Sequence, residues 1–139
     1  MEQTFKLEII TPYRVFFTGT SVKLIVTSID GDLEILAHHE NVVATVSIGL
    51  VKIQQDTVWK TASVSDGFLE VQGNKVTVLV GAAEWPEEID VERAERSLVR
   101  ASERLKKPLL PVEIQRAEKA AQRAKIRMKI AFPKADKKD

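Results

Sequence analysis

Four arginines in the second half of the chain have the type and the spacing needed to hold an anion. Arg93 and Arg100 lie seven residues apart, two turns or about 10.5 Å along a helix, and Arg123 and Arg127 lie one turn apart. Each pair therefore shares one face of its helix. Guanidinium groups are planar forks of donors that suit phosphate oxygens. If the two helices lie side by side, the four groups can surround a phosphate chain, and a nucleotide is the natural ligand.

A short connection containing two prolines separates the two arginine pairs. Pro108 and Pro111 forbid one continuous helix, because proline lacks the backbone N–H and clashes with the preceding turn. The few residues that remain predict a reversal and an antiparallel helical hairpin. Its facing sides are rich in alanine, with Val91, Ala94, Leu98, Ala101 and Leu105 on the first helix and Ile114, Ala117, Ala121, Ala124 and Met128 on the second. Since a buried methyl contributes only about 0.8 kcal/mol, the hairpin is expected to be marginally stable.

The same arginines also have a simpler explanation. Exposed helix faces are often rich in arginine for solubility and for pairing with glutamates, of which this region has several, including Glu92, Glu95, Glu103 and Glu118. Asp90 likewise has a structural role as a plausible N-cap, with Ile89 just outside the helix to pack against it. The helices alone leave both interpretations open.

The first part of the chain predicts β-strands. Apolar and polar residues alternate with a period of two, and short runs are separated by the turn signals Asp30-Gly31, Asp66-Gly67 and Gly73-Asn74. The predicted strands cover residues 5–10, 14–18, 21–27, 32–36, 42–47, 50–54, 58–64, 68–72 and 75–80. So many short strands with tight turns indicate an antiparallel β-sandwich.

The sequence therefore predicts two domains, an all-β N-terminal sandwich followed by a C-terminal two-helix hairpin. We expect the sandwich over residues 1–84, a linker over 85–89 and the hairpin over 90–139. The connection between the last predicted strand and the first helix, residues 82–88, contains Trp85-Pro86. The charge changes at the same place: residues 1–89 carry 6 basic and 12 acidic side chains (net −6), and residues 90–139 carry 15 and 8 (net +7). The basic part is expected to meet an acidic surface, a nucleotide or a nucleic acid. Nucleic acid is the least favoured, because the helices offer no aromatic side chain on which a base would stack.

Composition excludes several kinds of site. The 139 residues contain no cysteine, and the two histidines, His38 and His39, are adjacent rather than spaced for chelation, so no metal site is expected. The chain has no phosphate-binding loop of the G-x-x-x-x-G-K-[ST] type, which argues against an independent nucleotide-hydrolysing enzyme. No apolar run approaches roughly eighteen residues and the first residues do not resemble a signal peptide, so a cytoplasmic location is expected.

Several segments together resemble the epsilon subunit of the rotary proton-translocating ATP synthase, over essentially the whole chain. They are the opening strand with Thr11-Pro12, the stretch Gly31 to His39, the segment Ser65 to Val71, and Val76 to Val80 followed by Ala82-Ala83-Glu84. The loop Ala37-His38-His39-Glu40-Asn41 departs from the Pro-Gly-His-x-Pro pattern of many relatives, which puts its contacts in doubt but not the fold. The resemblance implies a sandwich that contacts the gamma subunit and the c-subunit ring, and a movable regulatory hairpin. It also implies a peripheral location on the cytoplasmic side of the cell membrane.

Bacterial members of that family bind ATP on the folded hairpin through an Ile/Leu-Asp-x-x-Arg-Ala motif, which stands here at residues 89–94. Carried over by position, the family's nucleotide contacts fall on Glu84, Ile89, Asp90, Arg93, Ala94, Arg100, Arg123 and Arg127. The resemblance thus implies ATP as a regulatory ligand, with any need for magnesium left open. The arginines would neutralise the phosphates, and Asp90 and Glu84 would accept from the adenine amino group or the ribose hydroxyls.

The resemblance implies a non-catalytic rotor subunit that takes part in coupling rotation to ATP synthesis. Its hairpin would sense ATP and, when opened, obstruct ATP hydrolysis by the catalytic head. In that opened state the same arginines would meet acidic segments of the catalytic alpha/beta subunits, so ATP would compete for them. The alternative within the family is a constitutive hydrolysis inhibitor with negligible nucleotide sensing.

Overall fold

The computed structural model describes residues 3–131, which divide into two compact units, one ending at Glu84 and the other beginning at Trp85. The first unit is built from ten strands. They are β1 (Phe5–Ile10), β2 (Val15–Ser21), β3 (Lys23–Ser28), β4 (Gly31–Leu36), β5 (Val42–Val46), β6 (Gly49–Gln55), β7 (Val58–Val64), β8 (Gly67–Gln72), β9 (Lys75–Val80) and β10 (Ala83–Glu84). Two five-stranded sheets result, in the orders β2-β1-β9-β8-β5 and β10-β7-β6-β3-β4.

The predicted sandwich is confirmed. Within the described residues every strand pair is antiparallel except β1 with β9, which run parallel. The alternation seen in the sequence separates core from surface: Phe5, Leu7 and Ile9 of β1 are buried, and Lys6 between them is exposed. Gly67 is required where β8 meets β9, because a Cβ there would stand 1.9 Å from the carbonyl oxygen of Leu79.

The boundaries of β2 and β3 differ from those predicted. The sequence predicted a break at Gly19-Thr20, between strands 14–18 and 21–27, but these residues continue β2, which pairs with β1 as far as Ser21. The chain then crosses to the other sheet. Ser21, 1% exposed, marks the crossing, where its hydroxyl lies 2.9 Å from the carbonyl oxygen of Lys23 and 2.8 Å from that of Gln54, which share its one proton. Three-dimensional pairing therefore overrides the local turn signal.

The segment expected to connect the two parts contains two short elements. Ala83 and Glu84 form β10, which pairs with Val64 and Ser63 of β7. A two-residue strand has too little pattern to be recognised from sequence. Pro86–Glu88 then form one 3₁₀ turn, which the backbone N–H of Trp85 supports by donating to Glu88 Oε1 at 2.9 Å.

The second unit contains the predicted helical hairpin, with α1 at Val91–Arg104 and α2 at Pro111–Ala131. The two helices pack against each other, and their buried residues are mainly the predicted alanines: Ala94, Ala101, Ala117, Ala121 and Ala124. Leu105 and Ile114, also expected in this seam, are each 38% exposed. They lie where the helices reach the connection, so fewer residues of the opposite helix remain to cover them.

Candidate functional site

The start of α1 is fixed by its own side chains. Asp90 has an extended backbone and its Oδ1 accepts from the N–H of Arg93 at 3.1 Å, which confirms the predicted N-cap. Ile89 is 8% exposed and anchors the residue before the cap. These contacts show that Ile89 and Asp90 have a structural role, and they set the orientation in which Arg93 leaves the first turn of the helix.

A stripe that is mostly arginine runs along each helix beside the alanine seam. On α1 the stripe is Arg93, Ser97, Arg100 and Arg104, and on α2 it is Arg116, Ala120, Arg123 and Arg127, each with the spacing i, i+4, i+7 and i+11. In both helices the stripe precedes the seam by one residue, as Arg93 precedes Ala94 and Arg116 precedes Ala117. Because the helices are antiparallel, this equal offset puts both stripes on the same side of the hairpin.

A groove of about 360 Å³ lies between the stripes and is lined from both helices. The lining residues are Arg93, Ser97, Arg100, Ala101 and Arg104 of α1 and Arg116, Ala117 and Ala120 of α2. The structure therefore brings Arg93 and Arg100 together with Arg104 and Arg116. The small side chains of Ala117 and Ala120 leave the floor of the groove open between the arginines.

The groove is strongly basic. Within residues 3–131 the guanidinium groups of Arg93, Arg100, Arg104 and Arg116 form no ion pair or hydrogen bond with a neighbouring side chain. Glu113, the acidic residue in the first turn of α2, instead accepts from the backbone N–H of Leu110 at 3.0 Å. Within the described residues, local glutamates therefore do not neutralise these four arginines. Uncompensated guanidinium groups around one groove favour an anionic occupant.

The other predicted contact residues lie outside the groove. Ala94 is fully buried, and its methyl group lets the helices approach closely. Arg123 is exposed, and Arg127 is half-buried and already has a partner. Both continue the stripe of Arg116 along α2. Glu84 ends β10 and belongs to the first unit. Contact of these residues with a nucleotide stays a prediction.

Arg104 and Arg116 line the groove but were absent from the sequence-based set. The signal was present, because Arg104 follows Arg93 at i+11 and Arg116 precedes Arg123 at i−7. Extending the first arginine pair by one turn and the second by two turns toward the connection would have found them.

The arrangement suits binding rather than catalysis. A volume of about 360 Å³ is at the lower end of the range for small-molecule sites, and the lining offers positive charge and hydroxyl donors. Among the described residues no group of three or more histidine, aspartate or glutamate side chains is placed to hold a metal ion. None of the helices described is long and apolar enough to cross a membrane.

Family models match both parts of the chain. Residues 4–86 match the model described as "ATP synthase, Delta/Epsilon chain, beta-sandwich domain", and residues 87–131 match "ATP synthase, Delta/Epsilon chain, long alpha-helix domain". The chain belongs to the ATP synthase delta/epsilon family. Together the two models cover nearly all of the residues described, which confirms the family expected from the sequence.

Curated relatives support the same assignment over more than nine-tenths of the chain. The chain is 42% identical over 127 residues to the ATP synthase epsilon chain of Caldicellulosiruptor bescii, covering 91% of this chain and 93% of that one. It is 43% identical over 132 residues to the epsilon chain of Caldanaerobacter subterraneus subsp. tengcongensis, covering 94% and 96%. The epsilon chain is a non-catalytic subunit, so the expectation that this protein has no catalytic site of its own agrees with its relatives.

Two solved structures share the fold at low sequence identity. A chain of the Euglena gracilis mitochondrial ATP synthase, solved as OSCP/F1/c-ring, aligns with a TM-score of 0.78 and 21% identity over 95% of this chain and 81% of its own. A chain of the Tetrahymena thermophila mitochondrial ATP synthase, from the central stalk and c-ring, aligns with a TM-score of 0.70 and 13% identity over 94% and 98%. At these identities the comparison shows the fold alone.

Proposed function

We propose that this protein is a central-stalk subunit of a proton-translocating ATP synthase, coupling rotation to ATP synthesis, whose helical hairpin senses ATP. The sandwich, residues 1–84, docks on the gamma subunit and the c-subunit ring. Residues 85–89 link it to the hairpin, residues 90–139, which regulates ATP hydrolysis by the catalytic alpha/beta subunits. The location that follows is peripheral, on the cytoplasmic side of the cell membrane. Family membership and the likeness to central-stalk chains support the assembly.

The groove lined by arginines from both helices supports ATP sensing more than any other observation. Arg93, Arg100 and Arg104 come from α1 and Arg116 from α2, so a phosphate chain in the groove binds both helices at once. Binding then depends on the helices remaining side by side. A triphosphate concentrates several negative charges over a short length, which suits a groove lined by several guanidinium groups.

The weak seam of the hairpin supports a switch. The buried residues of α1 and most of those of α2 are alanines, each of which contributes about one methyl group to the contact. A small free-energy difference between folded and opened hairpins can be shifted by one ligand that binds the folded form. In the opened hairpin the same arginines are free to contact acidic segments of the catalytic subunits. ATP and the inhibitory contact therefore exclude each other.

Calorimetric titration of ATP into the isolated chain tests the proposal. We expect saturable binding that weakens at least about tenfold in Arg93→Gln, Arg100→Gln, because charge-assisted hydrogen bonds to phosphate are removed. Arg96→Gln is the matched control, since Arg96 is exposed on α1 and does not line the groove. Loss of binding in the control as well would contradict a site in the groove.

A second pair of variants tests how far along α2 the ligand extends. Arg116 lies in the groove, and Arg123 lies on the same stripe about one turn beyond Ala120, the last residue of α2 that lines it, so the variants are Arg116→Gln and Arg123→Gln. If the predicted contact of Arg123 is made, both variants weaken ATP binding, and Lys125→Gln on a different face of α2 does not. If the wild-type chain shows no binding at all, the nucleotide sensor is wrong, and the arginines serve a constitutive inhibitor instead.

A further inference from the structure

The connection between α1 and α2 contains strong helix formers interrupted by two prolines. Leucine and lysine occupy Leu105, Lys106, Lys107, Leu109 and Leu110, and all of them favour helix. Apart from Pro108 and Pro111, nothing in this segment would stop α1 from running on into α2. The two prolines are therefore what separates a hairpin from a single long helix.

Both prolines fit the folded hairpin without strain. Pro111 is the first residue of α2, a position where the missing N–H has no partner in any case. Before it, the N–H of Leu110 donates to Glu113 Oε1 at 3.0 Å, and the carbonyl of Leu110 accepts from Glu113 and Ile114 at 2.9 and 3.0 Å. Pro108 follows the last turn of α1, where Lys107 donates to the carbonyl of Arg104 at 3.1 Å.

A continuous helix would place both prolines in its interior. Pro108 would then face the carbonyl of Arg104 and Pro111 that of Lys107, each without an N–H to donate and with its ring against that carbonyl. Each proline lowers the population of a continuous helix by roughly a hundredfold. The folded hairpin bears no such penalty, so the prolines shift the balance between the two forms.

We infer that Pro108 and Pro111 act as a stop that prevents the two helices from fusing into one long helix, and so keep the arginine groove available to its anion. This inference rests on the proposed function in that the groove is the ATP site. When the hairpin of this chain opens, it does so as two helices joined by a flexible connection. The residues buried between the two helices are mainly alanines, so their packing stabilises the hairpin only weakly relative to a continuous helix. The prolines are therefore needed to disfavour the continuous helix.

The first measurement is ATP affinity in Pro108→Ala, Pro111→Ala. A continuous helix cannot bring the two stripes together, so the apparent Kd rises in inverse proportion to the fraction that remains folded as a hairpin, and we expect about a tenfold weakening. Pro12→Ala, in an exposed turn of the sandwich, is the matched control and should bind as the wild type does. Pro108→Ala and Pro111→Ala alone each keep one proline, so their Kd values for ATP should lie between those of the wild type and the double variant.

The second measurement is a distance between spin labels on Glu95→Cys and Lys125→Cys, two exposed positions in a chain with no other cysteine. In a continuous helix these positions are separated by about 45 Å, with a narrow distribution, since thirty residues rise 1.5 Å each. In the hairpin the helix axes lie roughly 8–10 Å apart and the distance is much shorter. We expect the narrow long distance in the proline-free variant without ATP, and its loss when ATP is added.

The two measurements separate the inference from the proposed function. Absence of ATP binding by the wild type would defeat the proposed function, while the label distances would still test the stop. If the proline-free variant keeps both the short distance and wild-type ATP affinity, the stop is wrong. If the wild type itself shows the narrow long distance, the prolines do not prevent fusion.

Discussion

The sandwich and the hairpin bury different kinds of side chain. The sandwich core holds large residues that are fully buried, among them Leu7, Leu24, Ile35, Ile53 and Leu69. The hairpin buries mostly alanine between its helices. A buried leucine or isoleucine contributes roughly 1.5–3 kcal/mol and a methyl group about 0.8 kcal/mol, so the stability of the chain is concentrated in its first unit. This difference is what the proposed function requires, a stable sandwich that docks and a less stable hairpin that responds to ATP.

The largest expected effect comes from emptying the sandwich core. Leu24→Ala should lower the free energy of unfolding by about 3 kcal/mol, because Leu24 is fully buried between the sheets and its removal leaves a cavity. Urea unfolding followed by the fluorescence of Trp59, in a Trp85→Phe background, reports the sandwich alone. Leu79→Ala is the control, since Leu79 is 49% exposed and should cost much less.

Overpacking the seam should act on the hairpin and leave the sandwich unchanged. Ala101 is 4% exposed, and Ala101→Leu forces the helices apart at a cost of about 2 kcal/mol. We expect loss of helical circular dichroism at a lower temperature, weaker ATP binding and an unchanged Trp59 transition. Val99→Leu, at a position 57% exposed, adds volume on the outside of α1 and should have little effect. A change in the Trp59 transition would mean that the two units do not unfold independently.

The sequence predicted the sandwich because its strands alternate cleanly, as in Phe5, Leu7 and Ile9. It missed features set by contacts between distant segments. The parallel pairing of β1 with β9 and the crossing between sheets at Ser21 depend on partners far along the chain. Strand β10 exists only because β7 offers an edge to Ala83 and Glu84.

The candidate site was predicted in part for a similar reason. Helical spacing identified the stripe of Arg93 and Arg100, and the structure places both in the groove. The position at which the connection reverses the chain decides which residues of α2 lie opposite Arg93 and Arg100. Spacing within one helix does not reveal how the two helices align. The groove therefore includes Arg116 rather than Arg123 or Arg127.

Removing the N-cap of α1 should have a smaller effect that is again confined to the hairpin. Asp90→Ala leaves the N–H of Arg93 without its acceptor and should cost about 1 kcal/mol of hairpin stability. Asp90→Asn keeps an acceptor at the cap, so its helical melting should match the wild type. If Asp90 also contacts the nucleotide, as the sequence predicts, the Asp90→Asn variant should bind ATP more weakly than the wild type while its helices melt at the same temperature. Equal ATP affinity in wild type and Asn variant would limit Asp90 to the capping role.

The smallest effect is expected for charge pairs on the sandwich. Lys23 Nζ lies 3.2 Å from Glu34 Oε2, with the two side chains 31% and 52% exposed, so Glu34→Gln should change the free energy of unfolding by about 0.5 kcal/mol or less. Urea unfolding should show this small difference at low salt and a still smaller one at about 0.5 M salt, because dissolved ions screen an exposed pair. A loss above about 1 kcal/mol would contradict this. The exposed pair of Lys23 and Glu34 contributes little to the sandwich, whereas the arginines that line the groove have no counter-charge among the described residues, so an added anion is expected to have its effect on the hairpin.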